Sequence, residues 1–111
     1  MKTSTYSNEE LQNFGKTVMA QMGGKVSTMI GVKQLSVNEV DECMQLIIKF
    51  KAKAYNKSNC VRITIMPNDL YKMEFISIRG MKITEKGTFE DLYCDMLQST
   101  FEQETQLYLT L

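Results

Sequence analysis

Histidine and tryptophan are missing from the 111 residues of this chain, and proline occurs once. Without histidine, the Ser–His and Cys–His relays that activate nucleophiles are excluded, and the commonest zinc ligand is lost. Cysteine is sparse and odd in number: Cys43, Cys60 and Cys94 stand far apart, with no CxxC pair. Zinc-finger and dithiol redox readings therefore have no support, and three unpaired thiols suit a reducing compartment. No GxxxxGK[ST] loop is present to cradle phosphates. No run of about 18 apolar residues exists to span a bilayer. The polar stretch Met1 to Asn8 lacks the apolar segment of a secretory signal. No membrane partner, metal or cofactor is expected, and the expected location is cytoplasmic.

What remains is the composition of an ordinary globular domain, 43% hydrophobic and 23% charged, in a length that fits one unit over residues 1–111. Nine methionines are many for this size, and most fall on apolar faces, where they fill gaps in a core. The net charge is zero but unevenly spread. Residues 43–88 carry nine basic residues against three acidic ones, whereas residues 89–111 carry five acidic residues and no basic one. Such asymmetry marks either a surface for nucleic acid or internal balance between a sheet and a helix.

Periodicity predicts the elements. Ser7 followed by Glu10 forms a capping-box signature, and Leu11, Phe14, Val18 and Met22 then draw one apolar stripe, so a helix is expected over Ser7 to Met22. Gly23 and Gly24 would stop it, and Gly15 is expected on its outer side. Lys25 to Val37 is expected to be extended, with a bulge or bend at Gly31 and a turn in Asn38 to Glu42. A strand is expected from Cys43 to Ala54, and its half from Leu46 onward is the clearest pattern in the chain. Leu46, Ile48, Phe50, Ala52 and Ala54 alternate with Lys49, Lys51 and Lys53, so one face is apolar and the other basic. After a turn in Tyr55 to Asn59, Val61, Ile63 and Ile65 face one side and Arg62 and Thr64 the other. Pro67 to Asp69 turns the chain into a strand over Leu70 to Arg79. There Tyr71, Met73 and Phe75 share one parity and Ile76 and Ile78 the other, which predicts a bulge near Phe75. Met81 to Thr84 reads as a short last strand. Thr88 would cap a helix carrying Phe89, Leu92, Tyr93, Met96, Leu97 and Phe101, with Glu90, Asp91 and Asp95 complementing its dipole. The apolar tail Leu107 to Leu111 is expected to dock as an edge strand or against the end of the core. The fold class that follows is α+β: a two-layer sandwich, an antiparallel meander of four to five strands with an N-terminal and a C-terminal helix packed on one face.

No constellation of catalytic residues emerges, so no enzyme activity is expected. Asp41, Glu42 and Cys43 are adjacent, and adjacent strand residues point to opposite faces. The positive signal is the basic face: Lys49, Lys51 and Lys53, with Arg62 on the next strand, are the candidate nucleic-acid-binding residues, gaining affinity by counterion release. The same lysines could equally serve solubility and block edge pairing. Tyr55 alone stands near them as a base-stacking group. If the two parities of Leu70 to Ile78 are both exposed to something apolar, the surplus predicts a homodimer or another protein partner.

The pieces Met29-Ile-Gly-Val-Lys33, Val61-Arg-Ile-Thr-Ile65, Asp69-Leu-Tyr-Lys-Met-Glu-Phe75, Tyr93-Cys-Asp-Met-Leu97 and Phe101-Glu-Gln-Glu-Thr-Gln-Leu-Tyr-Leu-Thr-Leu111 together resemble a family of small proteins of unknown function common in phages, plasmids and other mobile elements. Its patterns read MTGAK, DxYxMEF and FExxTGLYxxL. Val32 stands where the family has Ala, and Gln106 where it has Gly. A glycine there with positive φ would make the terminal turn of this chain differ. The resemblance implies a mobile-element or bacterial accessory protein and carries no activity with it. The expected function is a non-enzymatic binding module contacting nucleic acid through the basic sheet face. The alternative is a protein-interaction module, as a homodimer or an inhibitor of a host protein.

Overall fold

The computed structural model describes residues 6–22, 31–51 and 54–107. Helix α1 spans Asn8–Gln21, and Ser7 is its N-cap. The Ser7 hydroxyl accepts from the Glu10 backbone N–H at 3.2 Å, and the Glu10 carboxylate accepts from the Ser7 N–H at 3.5 Å, so two orphan donors are satisfied reciprocally. Five strands follow: β1 (Val32–Val40), β2 (Cys43–Phe50), β3 (Cys60–Ile65), β4 (Tyr71–Arg79) and β5 (Lys82–Leu92). A single 3-10 turn, Cys94–Met96, leads into α2, Leu97–Thr105. The strands pair in chain order, each antiparallel to the next, as one open meander. The α+β class, the antiparallel sheet and the two terminal helices are as the sequence predicts.

Tight turns set the registers. Asp41 and Glu42, with φ of 50° and 64°, join Val40 to its partner Cys43. Two left-handed residues in a two-residue loop match the twist of a hairpin. Between β3 and β4, Asn68 Oδ1 accepts from the Leu70 N–H at 3.1 Å, and the Met66 N–H donates to the Leu70 carbonyl at 2.8 Å. Gly80, at φ 62°, turns β4 into β5.

Both helices lie on one face. Phe14, Val18 and Met22 of the first segment meet Leu46, Ile48, Phe50, Val61, Ile63, Tyr71, Met73 and Phe75, and Leu97 and Phe101 close the same core. Aromatic contacts tie the layers together: Phe101 sits 5.8 Å from Phe50 and 6.0 Å from Phe75, and Phe14 lies 6.5 Å from Tyr71. Gly15 faces this core, against the expectation of an outer position. A Cβ built on it would stand 2.8 Å from Val37 Cγ2, so the helix approaches β1 as closely as a glycine allows.

Three further expectations are corrected. The strand predicted to reach Ala54 ends at Phe50. The Lys51 N–H instead donates to the Gly31 carbonyl at 3.0 Å, Ala54 is buried without strand pairing, and Ala52 and Lys53 lie outside the described residues. The helix predicted from Thr88 is strand as far as Leu92. Phe89 pairs with Met73 and Leu92 with Tyr71, so an extra residue sits in β5 near Asp91, whose φ is 57°. That bulge turns two residues three apart toward the core, and the spacing imitates a helical stripe. The acidic residues Glu90 and Asp91 therefore complement no helix dipole. Finally, β4 alternates without a break, and the irregularity near Phe75 belongs to β5: Phe75 pairs with Gly87 and Ile76 with Glu85, leaving Lys86 extra. Gly23, Gly24, the stretch 25–30 and the tail 108–111 lie outside the described residues, while Leu107 packs on the core.

Candidate functional site

The sheet face away from the helices is less basic than its lysines promise. Across its middle, Arg62 donates from Nη2 to Glu74 Oε2 at 3.0 Å, and the two residues are cross-strand partners. The guanidinium charge is thus balanced within the protein. Beside it Gln45 donates to the Thr64 hydroxyl at 3.0 Å, and Lys72 stands next to Thr64 on β4. Cys60 is buried between Lys49 and Arg62. Burial pushes its thiol pKa up from the ordinary 9.0, and the two cations oppose the shift. Ile47, Ile76 and Ile78 share this face, with Ile83 of β5 paired to Ile78 and 69% exposed.

The meander gathers charge at its ends instead. The start of β1, the close of β2, the start of β3, the close of β4 and the start of β5 all lie at one end. Lys33 and Lys49 come there from the first two strands, Lys51 and Lys57 from the segment after β2, and Arg79, Lys82 and Lys86 from the last hairpin. Glu85 is the acidic strand residue at that end, and Glu102 and Glu104 ride on α2, whose Thr105 carbonyl accepts from the Tyr55 N–H at 2.7 Å. Tyr55 itself projects from the same end, 77% exposed. The far end collects the opposite sign. There Tyr6, just before α1, donates its N–H to Glu39 at 3.0 Å and its hydroxyl to the Glu42 carbonyl at 3.2 Å, and Asp41, Asp69, Glu90 and Asp91 occupy the adjoining turns and strand ends.

Among the described residues two hollows open at the basic end. One, of about 170 Å³, is lined by Lys33, Lys49, Phe50, Asn59 and Ile78. The Asn59 amide makes two 2.8 Å hydrogen bonds to the Ile78 backbone, which fixes one wall. The other, of about 160 Å³, is lined by Ser77, Arg79, Lys82, Thr84 and Lys86. Among the described residues no group of three or more Cys, Asp or Glu is placed to hold a metal ion, and no helix is long and apolar enough to cross a membrane.

Of the residues singled out in the sequence, Lys49 lines the first hollow and Lys51 lies exposed beyond the end of β2. Arg62 is mid-sheet with Glu74, and Lys53 lies outside the described residues. The sequence reading missed Lys33, Lys57, Arg79, Lys82 and Lys86. The signal for the last three is the alternation Lys82, Thr84, Lys86 beside Ser77 and Arg79 across the Gly80 turn, hidden once the last strand is stopped at Thr84 and a helix is started at Thr88. No protein-family model matches the chain, and neither a curated protein nor a solved structure does.

Proposed function

We propose that this chain is a non-enzymatic binding module that contacts the phosphates of single-stranded nucleic acid with the basic end of its sheet. One observation carries the reading: among the described residues the topology brings seven cations, from four strands and the segment after β2, to one end, beside an exposed tyrosine. Lysines and arginines arrayed around a strand's path release counterions, and an exposed aromatic ring offers a base a stacking surface. Lys49 and Lys51 keep the role the sequence suggests, and Lys53 adjoins them in the chain. Arg62 serves the sheet through Glu74. A mobile-element or bacterial accessory role, as the sequence resemblance implies, and a cytoplasmic location, which the unpaired thiols suit, belong to the same proposal.

The test is binding of single-stranded oligonucleotides over a salt series. The parent should show a slope of log K against log salt of about −0.7 per phosphate contacted. Lys49→Glu with Lys51→Glu should flatten it, as should Lys57→Glu, and Tyr55→Ala should weaken binding without changing the slope. A parent that binds no oligonucleotide at low salt ends the proposal.

A second reading rests on a different observation. Ile83 is 69% exposed beside Ile78 on the helix-free face, where Ile47 is also half-buried. That face would pair two copies of the chain as a homodimer. Light scattering across concentrations decides: a strict monomer rejects it, and a dimer broken by Ile83→Glu supports it.

A further inference from the structure

We infer that the hollow between β4 and β5 is a site for a phosphomonoester dianion, such as the phosphorylated end of a strand or a free nucleoside monophosphate. The inference rests on the basic-end reading and names the group that one part of that end takes.

Its walls come from cross-strand pairs. Ser77 pairs with Thr84 and Arg79 with Lys82, so all four side chains leave the sheet on one side. Lys86 joins them through the bulge. It follows Thr84 by two residues and so shares its side, and Gly87, opposite Phe75, falls on that side as well. Bulges re-aim side chains in this way. A Cβ on Gly87 would stand 3.3 Å from the Phe89 ring, so the bulge is braced against the core.

The chemistry of the lining is one-sided. Three cations and two hydroxyls surround about 160 Å³, and among the described residues no carboxylate lines it. Glu85, between Thr84 and Lys86 in sequence, pairs with Ile76 and points to the opposite face. Ser77 is 5% exposed, so its hydroxyl forms the floor rather than the rim. Among the described residues no ion pair engages Arg79, Lys82 or Lys86, and no hydrogen bond engages the two hydroxyls. A hollow so lined suits a compact anion with several free acceptor oxygens. An internal phosphodiester brings one charge and two oxygens blocked by ester links. A phosphomonoester brings nearly two charges and three acceptor oxygens, and can seat end-on over Ser77.

The experiment compares 5′-phosphorylated and 5′-hydroxyl oligothymidylates of about ten nucleotides, a length within the usual footprint of single-strand binders. Adenosine 5′-monophosphate is titrated in parallel. The phosphorylated strand should bind about tenfold or more tighter at equal salt. That advantage should disappear in Lys82→Gln and Lys86→Gln, and should shrink as pH falls below about 6, where the dianion takes up a proton and becomes the monoanion. Lys49→Gln, at the other hollow, should weaken both strands alike. Adenosine monophosphate binding that is sensitive to Lys82→Gln supports the site with a free small molecule as source. A preference limited to the strand supports it with the strand end as source. Equal affinity for both strands, with no monophosphate binding, overturns the inference and leaves the basic-end reading standing. If neither strand binds, that reading falls, and the monophosphate titration alone decides the hollow: no binding overturns it too.

Discussion

At the scale of single residues, Gly15 shows how an absent side chain sets a distance. Alanine is the better helix former by about 1 kcal/mol, but overpacking a tight contact costs about 1–3 kcal/mol. Val37 is β-branched and stiff, so its Cγ2 at 2.8 Å has little freedom to yield. Gly15→Ala should therefore lower stability by about 1 kcal/mol in denaturant unfolding. In a Val37→Ala background the same change should stabilise, since the contact is gone and the helix propensity remains. Cys60 and Tyr71 give a pH prediction. Burial raises both pKa values above the ordinary 9.0 and 10.0, so the folded state holds these protons more tightly than the unfolded chain. Their contribution is complete below pH 9.0 and is lost as pH climbs, first through Cys60 and then, above 10.0, through Tyr71. Thermal melts of the parent should be flat in this respect up to pH 9.0 and then decline, with the earlier part of the decline missing in Cys60→Ala. The replacement of glycine by Gln106 led to an expected difference in the terminal turn, yet the structure gives Gln106 φ 59° as the C-cap of α2. The glutamine thus adopts the left-handed turn that a glycine would take. Gln106→Gly should raise stability by about 1 kcal/mol, the cost of that conformation for a side-chain-bearing residue, less the hydrogen bond its amide makes to the Gln103 carbonyl.

Elements were legible where one period ran unbroken. The capping box and stripe of α1, the alternation of β2 through Phe50, and the turn at Pro67 to Asp69 each rest on local geometry that neighbours do not alter. Legibility failed in the last third, and the cause is the bulges of β5. A residue inserted at Lys86 and another near Asp91 shift the parity twice, so Phe89 and Leu92 face the core at helical spacing while the chain is extended. Period-based reading cannot tell that pattern from a helix when Leu97 and Phe101 continue it one element later. The candidate site suffered most, because Arg79, Lys82 and Lys86 join only through the β4–β5 pairing. Lys49 was legible because its strand is regular. Lys51 was given a strand face it does not have, since pairing stops at Phe50. The Asp91 bulge is itself testable. Asp91→Gly should be neutral to stabilising by up to about 1 kcal/mol, because φ 57° strains any residue with a Cβ. Asp91→Val, β-branched at that φ, should destabilise by more than 1–2 kcal/mol in the same assay.

For the whole molecule, zero net charge conceals two poles, and folding creates both. In the unfolded chain Lys33 and Lys86 are dispersed; in the folded one the meander sets them at one end. Two consequences of opposite sign follow. Without a ligand, the clustered cations repel one another, so Lys82→Glu with Lys86→Glu should leave the melting temperature unchanged or raise it at low salt, and the difference should fade as the Debye length falls to about 8 Å near physiological salt. With a polyanion such as a long oligothymidylate, binding favours the folded state over the dispersed chain. At a ligand concentration about 100-fold above Kd it should stabilise the parent by about 2.7 kcal/mol, a shift of roughly 10 °C for a domain of this size. The double variant should lose most of that shift while keeping its own unliganded stability. A general effect of polyanions on any chain with lysines predicts the reverse pattern: an equal response in parent and variant, or a fall in melting temperature because the extended chain binds as well. Measuring both proteins with and without the polymer, at two salt concentrations, separates a surface assembled by the fold from lysines scattered along a sequence.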